Sequence, residues 1–168
     1  MVSLNVTEKM SGQLEHELEL DVPASEAWEL FGTLGIGKLV CEEMPQLFQK
    51  VEIVEGDGGV GTILKVTFTP GIPGPASYNE KFTKIDNERR IKEVEVVEGG
   101  YLDFGFTLYR VRFEVIEKGE DSSIIKSTVE YEVEEAAKAS LVSIDLLANI
   151  ELVAKNYLGR NKAAKEAK

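Results

Sequence analysis

Residues 77–98 read SYNEKFTKIDNERRIKEVEVVE, and this stretch decides the fold. Side chains in 77–86 and in 89–98 alternate with a period of two residues, which is typical of strands that bury one face. The polar residues between them predict a turn. Strands joined by so short a connection are antiparallel, because parallel pairing needs a crossover of about a dozen residues or more. The sequence therefore predicts an antiparallel hairpin here.

The same pattern continues on both sides of this hairpin. Turn residues separate further predicted strands at 48–55, 61–69, 104–117 and 122–134, with no helical stretch between them. Consecutive strands with short connections predict a meander.

The segment before the meander predicts one strand and two short helices. Apolar and acidic residues alternate over 14–21, which predicts the first strand. His16 falls on its apolar side, either as a satisfied interior imidazole or as a ligand contact. Helix-start residues follow Pro23, and a second short helix is predicted over 36–44.

After the meander the apolar spacing changes to that of a helix over 135–158, with Gly159 as a stop. The fold class is therefore α+β: a seven-stranded, highly curved antiparallel sheet wrapped around a long C-terminal helix, with two short helices between the first two strands. One helix does not fill such a sheet, so an internal cavity is expected. We predict an N-terminal extension over 1–12, one domain over 13–159 and a flexible tail over 160–168.

The composition excludes several classes of function. The chain has 30 acidic and 19 basic residues and a net charge of -11, which disfavours nucleic acid and anionic membranes as partners. One cysteine, Cys41, permits no internal disulfide, and one histidine makes a structural zinc site improbable. The start of the chain lacks an apolar run of signal-peptide length, which predicts a cytoplasmic protein.

Two glycine-containing segments carry a family resemblance. They are EGDGGVGT over 55–62 and EGGYL over 98–102. With the order of elements, they resemble the plant pathogenesis-related, birch-pollen-allergen (Bet v 1-like) family, whose helix-grip fold encloses a cavity. The first segment lacks the Lys-Ser/Thr ending of a nucleotide P-loop, so we interpret it as a tight turn.

Within that family the chain resembles norcoclaurine synthases and their relatives, including norbelladine synthase. The resemblance lies in 78–82 and 86–92, and it implies catalytic roles for Tyr78, Glu80 and Lys92. A family aspartate aligns with Val111, so the chain departs from the pattern there. The resemblance implies no cofactor and no metal.

Strand parity predicts which side chains face the cavity. Tyr78 and Glu80 share one face, and Lys92 lies on the apolar face of the next strand. Both sets face inward only if the hairpin loop has an odd length or a bulge occurs; a three-residue loop would place Lys92 opposite Lys84. The predicted cavity wall comprises Leu64, Val66, Phe68, Phe82, Tyr109, Val111, Phe113, Leu146 and Ile150.

Two functions are compatible with these features. The first is a condensing lyase of alkaloid biosynthesis that joins an arylethylamine, dopamine or tyramine, to an aromatic aldehyde through an iminium ion, with Pictet–Spengler closure or imine formation. The second is a non-catalytic carrier of hydrophobic plant metabolites or hormones, such as a cytokinin or a flavonoid. In a purely structural interpretation, Glu80 and Lys92 form a cross-strand ion pair that supports the sheet. We expect a monomer or a weak dimer.

Overall fold

Seven strands and three α-helices make up residues 8–167, which the computed structural model describes. The strands are β1 Met10–Leu20, β2 Phe48–Glu55, β3 Ile63–Phe68, β4 Ser77–Asp86, β5 Ile91–Gly99, β6 Phe106–Gly119 and β7 Ser122–Val133. The helices are α1 Ala24–Phe31, α2 Gly35–Glu43 and α3 Asp145–Glu166, and two short 3-10 helices span Gly100–Phe104 and Ala136–Leu141.

The strands form one antiparallel sheet in the order β1-β7-β6-β5-β4-β3-β2, so the predicted meander is confirmed. Strand β1 pairs with the last strand, and the sheet stays open between β1 and β2. Helix α3 packs against β1, β7 and α2, while α1 lies on β6 and β7. The predicted α+β fold, a curved sheet around a C-terminal helix, is confirmed.

The hydrophobic core lies between the inner face of the sheet and the helices. Its fully buried members include Phe31 of α1, Val129 of β7 and Ala154 of α3. The outer face is polar: on that side Arg112 Nε lies 3.2 Å from Glu93 Oε1. This separation follows from the period-two pattern in the sequence.

The β4–β5 hairpin has a different register from the one predicted. Lys92 pairs with Ile85, not with Lys84, and a β-bulge follows Phe82. The connection over 87–90 has an even number of residues, which alone would turn the two inner faces apart. The bulge, with Thr83 as its extra residue, restores the match, because a bulge reverses the parity of one strand.

The C-terminal helix begins later than predicted. Residues Ala136–Leu141 form a 3-10 helix, and α3 starts only at Asp145. The amide of Ala136 donates a hydrogen bond to the carbonyl of Glu8, which draws this segment towards the first strand. The hydroxyl of Ser143 accepts a hydrogen bond at 3.1 Å from the amide of Asp145, the first residue of the helix.

The predicted helix stop at Gly159 is wrong, because α3 continues to Glu166 and residues 160–166 of the expected tail are helical. Arg160 Nη2 lies 2.7 Å from Glu43 Oε1, and Lys162 Nζ donates to the Asp21 carbonyl at 3.0 Å. These contacts hold the last turns to the domain, and the Ala- and Lys-rich sequence favours a helix.

The first strand begins before the predicted start of the domain at residue 13. Strand β1 starts at Met10 and pairs with Val133 there, so residues 10–12 belong to the sheet and not to an extension. The rest of the predicted extension, residues 1–7, lies outside the described part of the chain, as does residue 168. No helix among the described residues is long and apolar enough to cross a bilayer.

Candidate functional site

Two neighbouring cavities lie between the sheet and the helices. The first, called the inner cavity, has a volume of about 100 Å³, and the second cavity has about 230 Å³. They share four lining residues: Tyr78, Tyr109, Ser143 and Leu146. Together they approach the lower end of the roughly 300–1,000 Å³ that small-molecule sites occupy.

The inner cavity brings together most of the residues predicted from strand parity. Tyr78, Glu80 and Lys92 line it. The predicted wall residues that also line it are Leu64, Val66, Phe82, Tyr109, Val111, Phe113, Leu146 and Ile150. Phe68 instead lines the second cavity, because it ends β3 and packs between Phe48 and Tyr78 at ring distances of 5.4 and 5.7 Å.

Lys92 is the most deeply buried cation of the site, with 2% of its surface exposed. Its Nζ donates a hydrogen bond to the backbone carbonyl of Thr33, in the turn between α1 and α2, at 2.9 Å. The same atom lies 4.0 Å from the centre of the Phe82 ring. Burial lowers the pKa of Lys92 to about 8, although the negative charge of Glu80 opposes this shift.

Glu80 is half-buried on the wall of the inner cavity. It pairs with Leu64 of β3 and Val96 of β5, so its partner residues on both neighbouring strands are apolar. Burial raises the pKa of Glu80 to about 7, and the positive charge of Lys92 opposes the shift. This carboxyl therefore exchanges a proton near neutral pH.

Phe82 separates these two charged groups on the inner face. It follows Glu80 by two residues on β4 and pairs with Val94, two residues after Lys92 on β5. Among residues 8–167, Lys92 and Glu80 make no ion pair within 4.0 Å, so a direct cross-strand salt bridge does not describe this conformation. Lys92 and Glu80 therefore both line the inner cavity without forming an ion pair with each other.

Tyr78 and Tyr109 line both cavities, and Tyr101 lines the second cavity beside them. Tyr101 stacks on Tyr109 with ring centres 4.3 Å apart, and its hydroxyl donates to the Leu141 carbonyl at 3.2 Å. Burial, with the charge of Glu80, holds the pKa of Tyr78 well above its usual value. The Tyr78 hydroxyl is therefore a hydrogen-bond donor at neutral pH.

Gly99 and Gly100 let the chain pass directly behind Tyr78. Their φ angles are +74° and +57°, in the left-handed region that favours glycine. A Cβ at Gly100 would lie 3.0 Å from Cβ of Tyr78, and one at Gly99 would lie 2.9 Å from the Ser77 carbonyl oxygen. This pair therefore fixes the position of the tyrosine.

The comparison with known proteins agrees with this fold and site. A family model described as "Pathogenesis-related protein Bet v 1 family" matches residues 9–149. The chain belongs to this family. The assignment made from the glycine segments and the order of elements is thereby confirmed.

The most similar relatives in these comparisons carry the names of enzymes. Norbelladine synthase from Narcissus pseudonarcissus is 53% identical over 138 residues, which cover 81% of this chain and 85% of that protein. S-norcoclaurine synthase from Thalictrum flavum subsp. glaucum is 44% identical over 130 residues, 77% of this chain and 61% of that protein. The resemblance to this enzyme branch of the Bet v 1 family is confirmed.

A solved structure shows what one Bet v 1-fold relative binds. The X-ray structure of norcoclaurine synthase from Thalictrum flavum in complex with dopamine and hydroxybenzaldehyde is 36% identical to this chain. It aligns with a TM-score of 0.81 and covers 95% of each chain. Small aromatic molecules are thus ligands of that relative.

Val111 stands where the family resemblance implies an aspartate. It lines the inner cavity and pairs with Val94 on one side and Val129 on the other. Three valines in a row across the sheet make this part of the wall apolar, so a carboxylate introduced here would lose hydration.

The amides of Gly58, Gly59 and Gly61 in the glycine-rich loop are used in hydrogen bonds within the protein. Thr62 Oγ1 accepts the amide of Gly58, Asp57 accepts that of Gly59, and the Phe82 carbonyl accepts that of Gly61. Gly58 and Gly61 have φ angles of +109° and +96°. This geometry matches the predicted tight turn.

Some lining residues escaped the sequence analysis. The Thr33 carbonyl belongs to a turn that no side-chain pattern marks, and Leu147 is one helical position beyond the predicted Leu146. Ile36 and Val40 of α2 also line the inner cavity. Their spacing of four residues on a predicted helix was a usable signal.

Proposed function

We propose that the protein condenses an arylethylamine such as dopamine or tyramine with an aromatic aldehyde, through an iminium ion, in the inner cavity. The observation that carries this proposal is one buried ammonium and one carboxyl on the wall of the same apolar chamber, with pKa values of about 8 and 7. Such groups transfer protons efficiently near neutral pH. The named relatives and the dopamine complex support it.

The condensation needs three proton transfers before the iminium ion forms. The free amine adds to the aldehyde carbon, the Lys92 ammonium gives a proton to the developing alkoxide, and the neutral Lys92 amine then takes a proton from the added nitrogen, which leaves the carbinolamine. Lys92 passes this proton to the carbinolamine hydroxyl, which leaves as water while the nitrogen lone pair forms the C=N bond. Tyr78, which keeps its phenolic proton, orients the substrate oxygens.

Ring closure requires a base as well. When the aromatic carbon attacks the iminium carbon, a ring proton must leave to restore aromaticity, and the Glu80 carboxylate accepts it. Val111 supplies no carboxylate for either step. The open imine is therefore as compatible with this cavity as the cyclised product.

The test is turnover with a defined amine and aldehyde. Purified protein is mixed with dopamine and 4-hydroxyphenylacetaldehyde, and the products are resolved by chiral chromatography; a second reaction with tyramine and an aromatic aldehyde is followed for the imine. We expect product above the uncatalysed rate in at least one pair. Product at the uncatalysed rate in both, and racemic where a ring closes, would refute the proposal.

Two lysine variants separate the role of Lys92 from general effects of charge. Lys92→Met should lower kcat by at least about 100-fold, since general acid–base catalysis contributes on the order of 10²–10⁴. Lys84→Met removes an exposed lysine of the same hairpin and should leave kcat unchanged. Equal turnover by both variants would remove Lys92 from the mechanism.

The alternative function is non-catalytic carriage of a hydrophobic metabolite or hormone. The apolar valine row at Val111 favours it, because a carrier needs no third acid–base group. Displacement of a fluorescent naphthalene dye by a cytokinin or a flavonoid, saturable at micromolar concentration and without turnover of any amine, would support the carrier. Turnover that depends on Lys92 would exclude a purely passive role.

A further inference from the structure

A second buried carboxyl lies outside both cavities. Glu151 of α3 has no exposed surface, and its Oε1 lies 2.6 Å from Nδ1 of His16 on β1. Its Oε2 has no hydrogen-bond partner among the described residues. A buried carboxylate with one partner is unfavourable, so this group calls for an explanation.

His16 and Glu151 together join the helix to the sheet. Within residues 8–167, theirs is the one side-chain hydrogen bond between α3 and a strand. His16 lines neither cavity, which decides between its two interpretations in favour of a hydrogen-bonded imidazole.

This contact lies directly behind the cavity wall. Leu147 and Ile150 precede Glu151 on the buried face of α3, and both line the inner cavity. A displacement of the helix at Glu151 therefore displaces the wall as well.

The surroundings of the carboxyl favour its protonated form. Burial raises the pKa of Glu151, His16 and the Ser127 hydroxyl oppose this shift, and the negative charge of Glu17 adds to it. Ser127 pairs with His16 across β1 and β7, but its hydroxyl makes no aligned hydrogen bond. On α3 itself the nearest following cation is Lys155, whose charge acts on Glu19.

We propose that the contact between His16 and the protonated carboxyl of Glu151 fixes α3 over the inner cavity, and that loss of the Glu151 proton as the pH rises loosens the helix and opens the cavity. The His16 side chain is 40% exposed, so solvent reaches the imidazole that contacts this buried carboxyl. His16 and Glu151 are thus positioning residues for the ligand chamber. The inference needs only that chamber, and it holds for an enzyme and for a carrier.

The sign of the effect follows from linkage. A carboxyl whose pKa is raised on folding stabilises the folded state below its unfolded pKa and loses that contribution as pH rises through the folded value. Each unit of pKa shift changes the equilibrium constant between the attached and the loosened helix by about tenfold. A rise in pH above the ordinary carboxyl value of 4.5 should therefore loosen α3.

Hydrogen exchange of the α3 backbone tests this without any ligand. The background is the Glu80→Gln/Lys92→Met double variant, because both cavity groups also change charge as the pH rises. Protection of α3 amides, corrected for the intrinsic exchange rate and compared with β6 and β7, should fall as the pH rises above 4.5, the ordinary pKa of the Glu151 carboxyl.

Two further substitutions assign the effect to Glu151. In Glu151→Gln, a neutral side chain of the same shape, α3 protection should not change with pH. Glu17→Gln removes an exposed charge on β1 and should retain most of the pH dependence. A constant α3 protection in the parent, or an equal fall in Glu151→Gln, would overturn the proposal.

Release of an anilinonaphthalene dye in stopped flow tests the consequence for the cavity. In the same background the dissociation rate should rise severalfold with pH, and it should stay constant in Glu151→Gln. A pH-independent rate, or a dye that does not bind at all, would refute gating of the cavity. Turnover that survives either result would leave the proposed condensation intact, so the two proposals fail separately.

Discussion

Replacing Lys92 by methionine should stabilise the fold while it removes the proposed proton donor. Burial lowers the pKa of this group from its usual 10.5 to about 8, against the charge of Glu80. Each pKa unit between the folded and unfolded states corresponds to about 1.4 kcal/mol, so the buried charge costs about 3 kcal/mol. The lost hydrogen bond to the Thr33 carbonyl offsets about 1 kcal/mol of this. The net gain is about 2 kcal/mol.

The gain should depend on pH with a defined sign. Because the folded pKa lies below the unfolded one, the penalty in the wild type is full below about pH 8 and fades as the pH approaches 10.5. The stability difference between Lys92→Met and wild type should therefore be largest near about pH 7, and it should fall to roughly half by about pH 9.

Urea unfolding measures this difference. The fluorescence of Trp28, the only tryptophan, reports the transition at each pH. Lys84→Met is the matched control, an exposed lysine on β4 whose loss should change the free energy of unfolding by no more than about 0.5 kcal/mol. A Lys92→Met protein that is less stable than the wild type at pH 7 would show that the buried ammonium is stabilising, and the reasoning would be wrong.

Three further predictions concern the chemistry and the sheet. The rate of condensation should rise as Glu80 ionises near pH 7 and fall as Lys92 loses its proton near pH 8, and a flat pH–rate profile would contradict these roles. Val111→Asp should lower the free energy of unfolding by about 3 kcal/mol, since it buries a carboxylate among valines, and should raise the ratio of cyclised product to imine in chromatography. An unchanged ratio would argue against a role for this position in closure. Gly12→Ala places a Cβ in steric conflict with the Tyr131 hydroxyl, so thermal unfolding should show a loss of about 1–3 kcal/mol, and wild-type stability would mean that the ring moves aside.

The sheet could be predicted because its signal is local. Alternation with period two and short polar connections set the number of strands, their direction and their inner faces. Tyr78, Glu80 and Lys92 reached the same cavity wall for this reason. The family resemblance then supplied the functional interpretation.

The remaining features depend on contacts between distant segments. The bulge after Phe82 corrects a mismatch between the inward-facing positions of β4 and β5, and no residue type in the turn predicts it. Helix α3 starts late because the Ala136 amide is held by the carbonyl of Glu8, which is far away in the sequence. His16 and Glu151 meet across 135 positions, so neither strand nor helix periodicity could pair them.

The partner of Lys92 has a consequence for how the family tolerates mutation. A backbone carbonyl is present whatever residue occupies position 33, so substitution at Thr33 leaves the acceptor atom in place. Sequence variation in the α1–α2 turn can therefore accumulate without removing the contact, and covariation between positions 33 and 92 should be weak. Only changes in the backbone path of that turn, through insertion, deletion or proline, would release the ammonium.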